Sequence, residues 1–435
     1  MATSAERRAA RKRKQQARDR RRGEQHTDLT ADQLIGGLIG AGAALAWGPD
    51  ADPDRVAEVV DRLVLLDPSM TSLSYAETLL INLLAELWED GWQPADVDHV
   101  VRRWGTARLS RLTLLAIAAS AAATSAAVRA PAEWLDQLAA LGVRLDATTS
   151  PIVRWWAGEG LDPAGTWREA LTLAGLLGGL GPLQQLSPPP SRWGSERAAR
   201  STAGTVDARL LGRIRALLTK AESTDFPEEA EALSAKAQEL MTRHAIDTAL
   251  VEAGSAAAGI DVVARRVHVD NPYAEPKVRL LDAVGSANGV RVIWIEDLGM
   301  ATIVGPPSDL AAVDLLFTSL LVQATRAMAA TGRAGGARSR APGFRRGFLT
   351  AYAVRIGERM TEIRDRVTDQ TRGADLVPVL RARQQAVDDA FAAMFPGSYA
   401  RETRSFDARG WHAGRAAAED AHLGPTDGAR LTERA

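Results

Sequence analysis

The sequence contains no cysteine. Disulfide frameworks, thiolate zinc sites, iron–sulfur clusters and cysteine nucleophiles are therefore excluded. Lysine is scarce too, with five residues against 48 arginines. This is the bias of a GC-rich coding sequence, so arginine carries information only where its placement departs from the background. Six histidines are present, at 26, 99, 244, 268, 412 and 422. No two lie three or four apart and no His-Glu-x-x-His pair exists, so no metal site is expected. A phosphate-cradling Gly-x-x-x-x-Gly-Lys-Ser/Thr loop and a Gly-x-Ser-x-Gly elbow are both missing. No cofactor is expected and no catalytic residue can be assigned, which favours a binding protein over an enzyme.

Long hydrophobic runs are lacking as well. The longest uncharged apolar stretch, Leu112 to Val128, spans 17 residues, short of the about 20 that cross a bilayer. A buried helix is the expectation there. The basic N-terminal stretch has no apolar segment behind it of the kind a secretory signal carries. These features predict a cytoplasmic protein with no membrane partner.

The chain has 435 residues, enough for two to four domains, with 46% hydrophobic and 25% charged residues. Its net charge of −1 hides an asymmetry: residues 1–25 carry ten Lys/Arg against three Asp/Glu. The arm 1–27 includes Arg11 and Arg13 and has no apolar face to bury, so it is expected to be disordered.

Residues 28–186 read as an all-helical, tryptophan-rich domain. Thr30-Ala31-Asp32-Gln33 forms a capping box, and Asp52-Pro53 and Pro94 mark further helix starts. Eight of the eleven tryptophans fall between Trp47 and Trp167, where they are expected to fill gaps between helices. Residues 187–205, rich in Pro, Ser and Gly, read as a linker.

Within 206–252, Leu210, Leu211, Ile214, Leu217, Leu218 and Ala221 form one helical stripe. Ala230, Leu233, Ala237, Leu240, Met241 and His244 form the facing one. Asp225 is expected to cap the second helix, and 246–251 to form a short third helix. The pattern predicts an antiparallel helical hairpin.

Residues 260–424 change period. Val262 to Val269 reads as a strand, Pro276 to Asn288 as a helix, and Val290 to Ile295 with Met300 to Val304 as a hairpin. Ser308 is expected to cap the long helix that follows. The predicted fold class is α+β, mostly α: a helical N-terminal domain, a helical hairpin, then a small antiparallel sheet with helices on one face. After a Thr331–Gly343 loop come helices at 344–360, about 379–394 and 408–421. Residues 425–435 read as a frayed tail.

The run Lys220-Ala-Glu-Ser223 followed by Pro227-Glu-Glu-Ala230 resembles the signature of a bacterial and phage family, domain of unknown function 2786, common in actinobacteria. The resemblance covers residues 210–247. It implies kinship and no activity. It also implies an uncharacterised module after the hairpin, ending near Gly410-Trp-His-Ala-Gly414.

One feature departs from background. Leu315 to Gly357 holds no Asp or Glu and seven arginines, at 326, 333, 338, 340, 345, 346 and 355. An arginine-dense, glycine-spaced loop can follow a phosphate backbone and release counterions. The bland alternative is a solvated loop whose guanidinium groups pair with acids such as Glu228 to Glu231. The loop has no aromatic residue beyond Phe344, so base stacking is not expected. Three functions follow in order. The first is nucleic-acid binding through phosphates by Arg338, Arg340, Arg345 and Arg346 with Arg11 and Arg13. The second is a helical scaffold binding a protein partner. The third is an enzyme in which His268, Asp270, His412 and Asp420 converge.

Overall fold

The computed structural model describes residues 30–145, 151–194, 208–224, 226–254, 260–334, 341–371, 376–397 and 415. The fold is α+β and mostly α, with 15 α-helices and one three-stranded antiparallel sheet among these residues. Two compact units are present. The first draws on residues up to Glu89, Thr106–Val128 and Leu135–Pro182; the second on Asp90–Gly105, Arg129–Trp134 and residues from Leu183 on.

The first unit contains α1 (Ala31–Ala46), α2 (Pro53–Leu66), α3 (Leu73–Glu89), and, after α4 (Pro94–Trp104) of the second unit, α5 (Ala107–Ala123) and α6 (Ala126–Arg129). It continues through the part of α7 (Ala132–Ala140) from Leu135 on, α8 (Pro151–Glu159) and α9 (Pro163–Gly178). Helix starts follow the sequence signals. Thr30 and Gln33 exchange the two bonds of a capping box, and the Asp52 carboxylate accepts from the Arg55 N–H just ahead of Pro53. Gly175 marks a close approach of α9 to α1: a Cβ there would stand 2.3 Å from the Ala43 carbonyl oxygen. Trp88, Trp155 and Trp167 are buried and fill the space between helices. The apolar stretch at Leu112 is buried as expected, with Leu112, Ala116 and Ile117 inside. It is not one helix, because Ser125 adopts a left-handed conformation between α5 and α6.

The second unit contains α10 (Ala208–Ser223), α11 (Pro227–Gly254), β1 (Val263–His268), α12 (Ala274–Ala287), β2 (Arg291–Ile295), β3 (Met300–Gly305), α13 (Pro307–Ala334), α14 (Pro342–Gln370) and α15 (Leu376–Met394). The sheet order is β1-β3-β2, with Val267 opposite Ala301 and Trp294 also opposite Ala301 across the other edge. Every residue of the central strand β3 is buried. Both sheet faces are therefore covered, where one covered face was expected. Two helices contribute: the Asp96 of α4 meets Arg266 and His268 of β1, and α15 packs against β2 and β3, where its Asp388 pairs with Arg291.

Helices α10 and α11 form the predicted hairpin, joined through buried Ile214, Leu218, Ala237 and Met241. Burying each such large apolar side chain is worth about 1.5–3 kcal/mol. The third helix expected at 246–251 is a continuous part of α11, which runs on to Gly254, since no residue between 227 and 252 breaks the period. A second buried face of α11 was not foreseen. Ser234, Gln238 and Thr242 lie inside. Gln238 and Asn288 exchange amide hydrogen bonds of 2.9 and 3.3 Å, and Gln323 donates to Ser234. Polar stripes of this kind can be buried only because each amide finds a partner.

Other corrections are local. Helix α13 begins at Pro307, so Ser308 lies within its first turn, and it extends to Ala334 into the expected loop. Asp225, the residues 335–340, most of 408–421 and the 410–414 motif lie outside the described residues. Pro307–Thr331 is long and apolar enough to cross a membrane by length and composition. Its Leu310, Val313, Leu316, Phe317 and Leu320 are packed into the core of the unit.

Candidate nucleic-acid interface

Arg345 and Arg346 stand in the first turn of α14. Arg11, Arg13, Arg338 and Arg340 lie outside the described residues. The segment that is free of acids in sequence is not free of them in space. Arg346 is ion-paired with Glu275 of α12, which also stands 3.7 Å from Arg279. Arg355 pairs with Glu358 and Glu362 one and two turns further along α14. Arg326 is exposed. The acids proposed as partners near Glu228 are engaged differently: Glu229 is 2.7 Å from Lys220 and accepts from the Thr224 hydroxyl.

Arg346 opens onto a cleft of about 370 Å³. Arg103 of α4, Trp294 of β2, Glu296, and the starts of α12 and α14 share its walls. Neither helix start has a side-chain cap: Tyr273 precedes α12 and Ala341 precedes α14. Pro276 and Pro342 contribute no N–H, so the donors that carry partial positive charge at these two starts are those of Ala274, Glu275, Gly343 and Phe344. Tyr273, also in the wall, holds φ at 65°, a conformation rarely adopted by a bulky residue. Arg103 is oriented by the carbonyl oxygens of Asp297 and Glu296, at 3.3 and 3.4 Å. Gly299 lets it approach, since a Cβ there would meet its guanidinium at 2.8 Å and His99 Nε2 at 3.1 Å.

Behind Arg103, one turn earlier on α4, lies a cluster of titratable groups. His99 and His268 stack with ring centroids 4.7 Å apart. His268 Nε2 donates to Asp96 at 2.8 Å. Asp96 also accepts from buried Arg266 and from the Gln93 N–H. Burial pushes the Asp96 carboxyl up, but Arg266 and His268 outweigh it and hold it below the usual carboxylate range. His99 is 1% exposed, neither ring nitrogen has a hydrogen-bond partner, and Asp270 stands 3.5 Å from Nδ1. Burial first, then repulsion from His268, with Arg102 and Arg103 adding and Asp270 opposing, brings its pKa from 6.5 to about 4.

His99 therefore stays neutral when folded and titrates normally when unfolded. Its contribution is intact above pH 6.5 and falls away as pH drops toward about 4. Linkage puts the loss at about 2 kcal/mol by pH 5 and about 3 kcal/mol at its limit. Urea unfolding at pH 7 and pH 5 should show this drop in the wild type and a much smaller one in His99→Leu. Equal slopes would reject the assignment.

Of the proposed catalytic set, His268 and Asp270 are both brought to His99, whereas His412 and Asp420 lie outside the described residues. No group of three or more metal-ligating side chains exists among the described residues. His244 is half-buried beside the Thr248 hydroxyl.

Residues 209–248 match the family described as protein of unknown function (DUF2786). The match covers α10 and most of α11, and so lies apart from the cleft-lining residues. No curated protein and no solved structure matches the chain. Sequence reasoning missed Arg103, His99, Asp96 and Trp294. Nothing local distinguishes them: α4 is separated from β1 by more than 150 residues of chain, and Trp294 reads as an ordinary strand residue.

Proposed function

We propose that the second unit binds nucleic acid through its phosphates. The observation that supports this best is the cleft: two guanidinium groups, Arg103 and Arg346, and two uncapped helix starts converge on one small opening. Each of these favours a bound anion. The ion pair between Arg346 and Glu275 does not stand in the way. Both side chains are about two-fifths exposed, and exposed pairs of this kind contribute only about 0–1 kcal/mol. A phosphate can displace the carboxylate at small cost. Arg345 stands next to it in α14, and the sequence holds further cations for a polyanion in the basic arm, Arg11 and Arg13 among them. Such a role fits a cytoplasmic protein that performs no chemistry on its ligand.

The alternative, a protein-binding surface made by the tryptophans of the first unit, has less support, because Trp88, Trp155 and Trp167 are buried within that unit. The test is anisotropy of a labelled oligonucleotide against salt. The logarithm of affinity should fall linearly with the logarithm of salt concentration. Arg103→Ala and Arg346→Ala should each weaken binding and reduce that slope by about 1. Affinity indifferent to salt and to both substitutions would refute the reading.

A further inference from the structure

We propose that the cleft accepts one unpaired nucleotide of a single-stranded nucleic acid, with its base stacked on Trp294 and its phosphate held by Arg103 and Arg346. This rests on the phosphate-binding reading and adds what is recognised beyond charge.

Three observations carry it. The first is aromatic. Trp294 lies on the edge strand β2; it is partly buried, packs against the core and also lines the cleft, as does Tyr273. A ring fixed by its own packing is a ready stacking surface, and stacking serves any base because every base has a π-face. The arginine loop itself has no such platform, but the fold places one beside Arg346. The second is the mixture of charges. A site for bare phosphate would not place Glu275 and Glu296 among its lining residues. Carboxylates accept hydrogen bonds from the amino and imino groups of a base edge or from a sugar hydroxyl. Two cations, two acids and two rings together suit a whole nucleotide. The third is size. At about 370 Å³ the cleft falls at the lower end of small-molecule sites, about 300–1,000 Å³. A base within a duplex would have to be flipped out of its stack to enter, whereas a base in a single strand is already available.

The experiment uses the full chain and fluorescein-labelled oligonucleotides of about 15 nucleotides at about 50 mM salt: single-stranded DNA, single-stranded RNA and duplex DNA. The comparison of the first two tells which sugar the site takes. Single strands should bind about tenfold or more tighter than duplex. Trp294→Ala should weaken single-strand binding by about tenfold and leave duplex binding unchanged, while Arg346→Ala weakens both. A wild-type measurement guards against misfolding of the alanine variant: a single strand carrying 5-bromouracil, irradiated in the complex, should crosslink to the tryptic peptide 292–326, whose one tryptophan is Trp294. Equal affinity for single strand and duplex, with the crosslink elsewhere, would overturn this inference and leave the phosphate reading standing. Failure of all three oligonucleotides to bind would overturn both.

Discussion

Asp96→Ala is expected to destabilise the second unit by about 3–5 kcal/mol, the range for stranding a buried partner charge. The Asp96 side chain is 1% exposed and that of Arg266 3%. The carboxylate neutralises Arg266, accepts from His268 and closes the start of α4 through the Gln93 N–H. Without it, Arg266 keeps only the carbonyl oxygens of Gly91 and Gln184. Carbonyl dipoles hydrogen-bond a guanidinium but do not cancel its charge. Urea unfolding monitored on the second unit measures the effect. Adding Arg266→Met to Asp96→Ala should recover much of the loss, because the stranded charge is then gone. A loss below about 1 kcal/mol would mean that water reaches this cluster. The matching control is Arg364→Ala, whose partner Asp365 is largely exposed; there the expected change stays within about 1 kcal/mol.

Arg383→Ala should cost about 3 kcal/mol by the same reasoning, at a separate place. Arg383 of α15 is 6% exposed. It donates to Asp309 in the first turn of α13 at 2.9 Å, to Glu252 near the end of α11 at 3.2 Å, and to the Ala245 carbonyl at 3.4 Å. One guanidinium therefore ties three helices together, and its planar fork is the reason lysine would not substitute. Asp309 is 8% exposed, and after Arg383→Ala it retains only the Ser308 hydroxyl beside it. The double variant Arg383→Ala, Asp309→Asn should be more stable than Arg383→Ala alone. Were it less stable by the sum of the two single losses, the two residues would be acting independently and the interaction would be absent.

These two clusters show why the candidate site was only partly legible. The arginine-rich segment stood out because a run of 43 residues without an acid is visible in one dimension. Its partners were not visible. Glu275 is 71 residues from Arg346 and Asp96 is 170 residues from Arg266, and ion pairing is decided by distance in space. The same holds for the absence of a stacking ring. The loop sequence holds no aromatic residue beyond Phe344, and the fold brings Trp294 to the cleft from β2. The unbroken α11 differs in kind. There a separate third helix was expected at 246–251, although the chain between 227 and 252 contains no residue that would stop the helix.

Local order followed from the residues alone. Capping boxes, prolines at helix starts, stripes at helical spacing and short apolar runs bounded by turn residues at β1, β2 and β3 are short-range signals. They act through backbone geometry and the burial of a single face, so the α+β class, the hairpin and its family resemblance could all be read directly. Tertiary structure alone decided which charges meet. It set α4 against β1, turned Arg346 toward Glu275, and gathered Arg103, Trp294 and two helix starts around one cleft. The physical reason is that hydrophobic patterning specifies which face of an element is buried. The pairing of isolated polar groups depends on which elements end up as neighbours, and no periodicity records that choice.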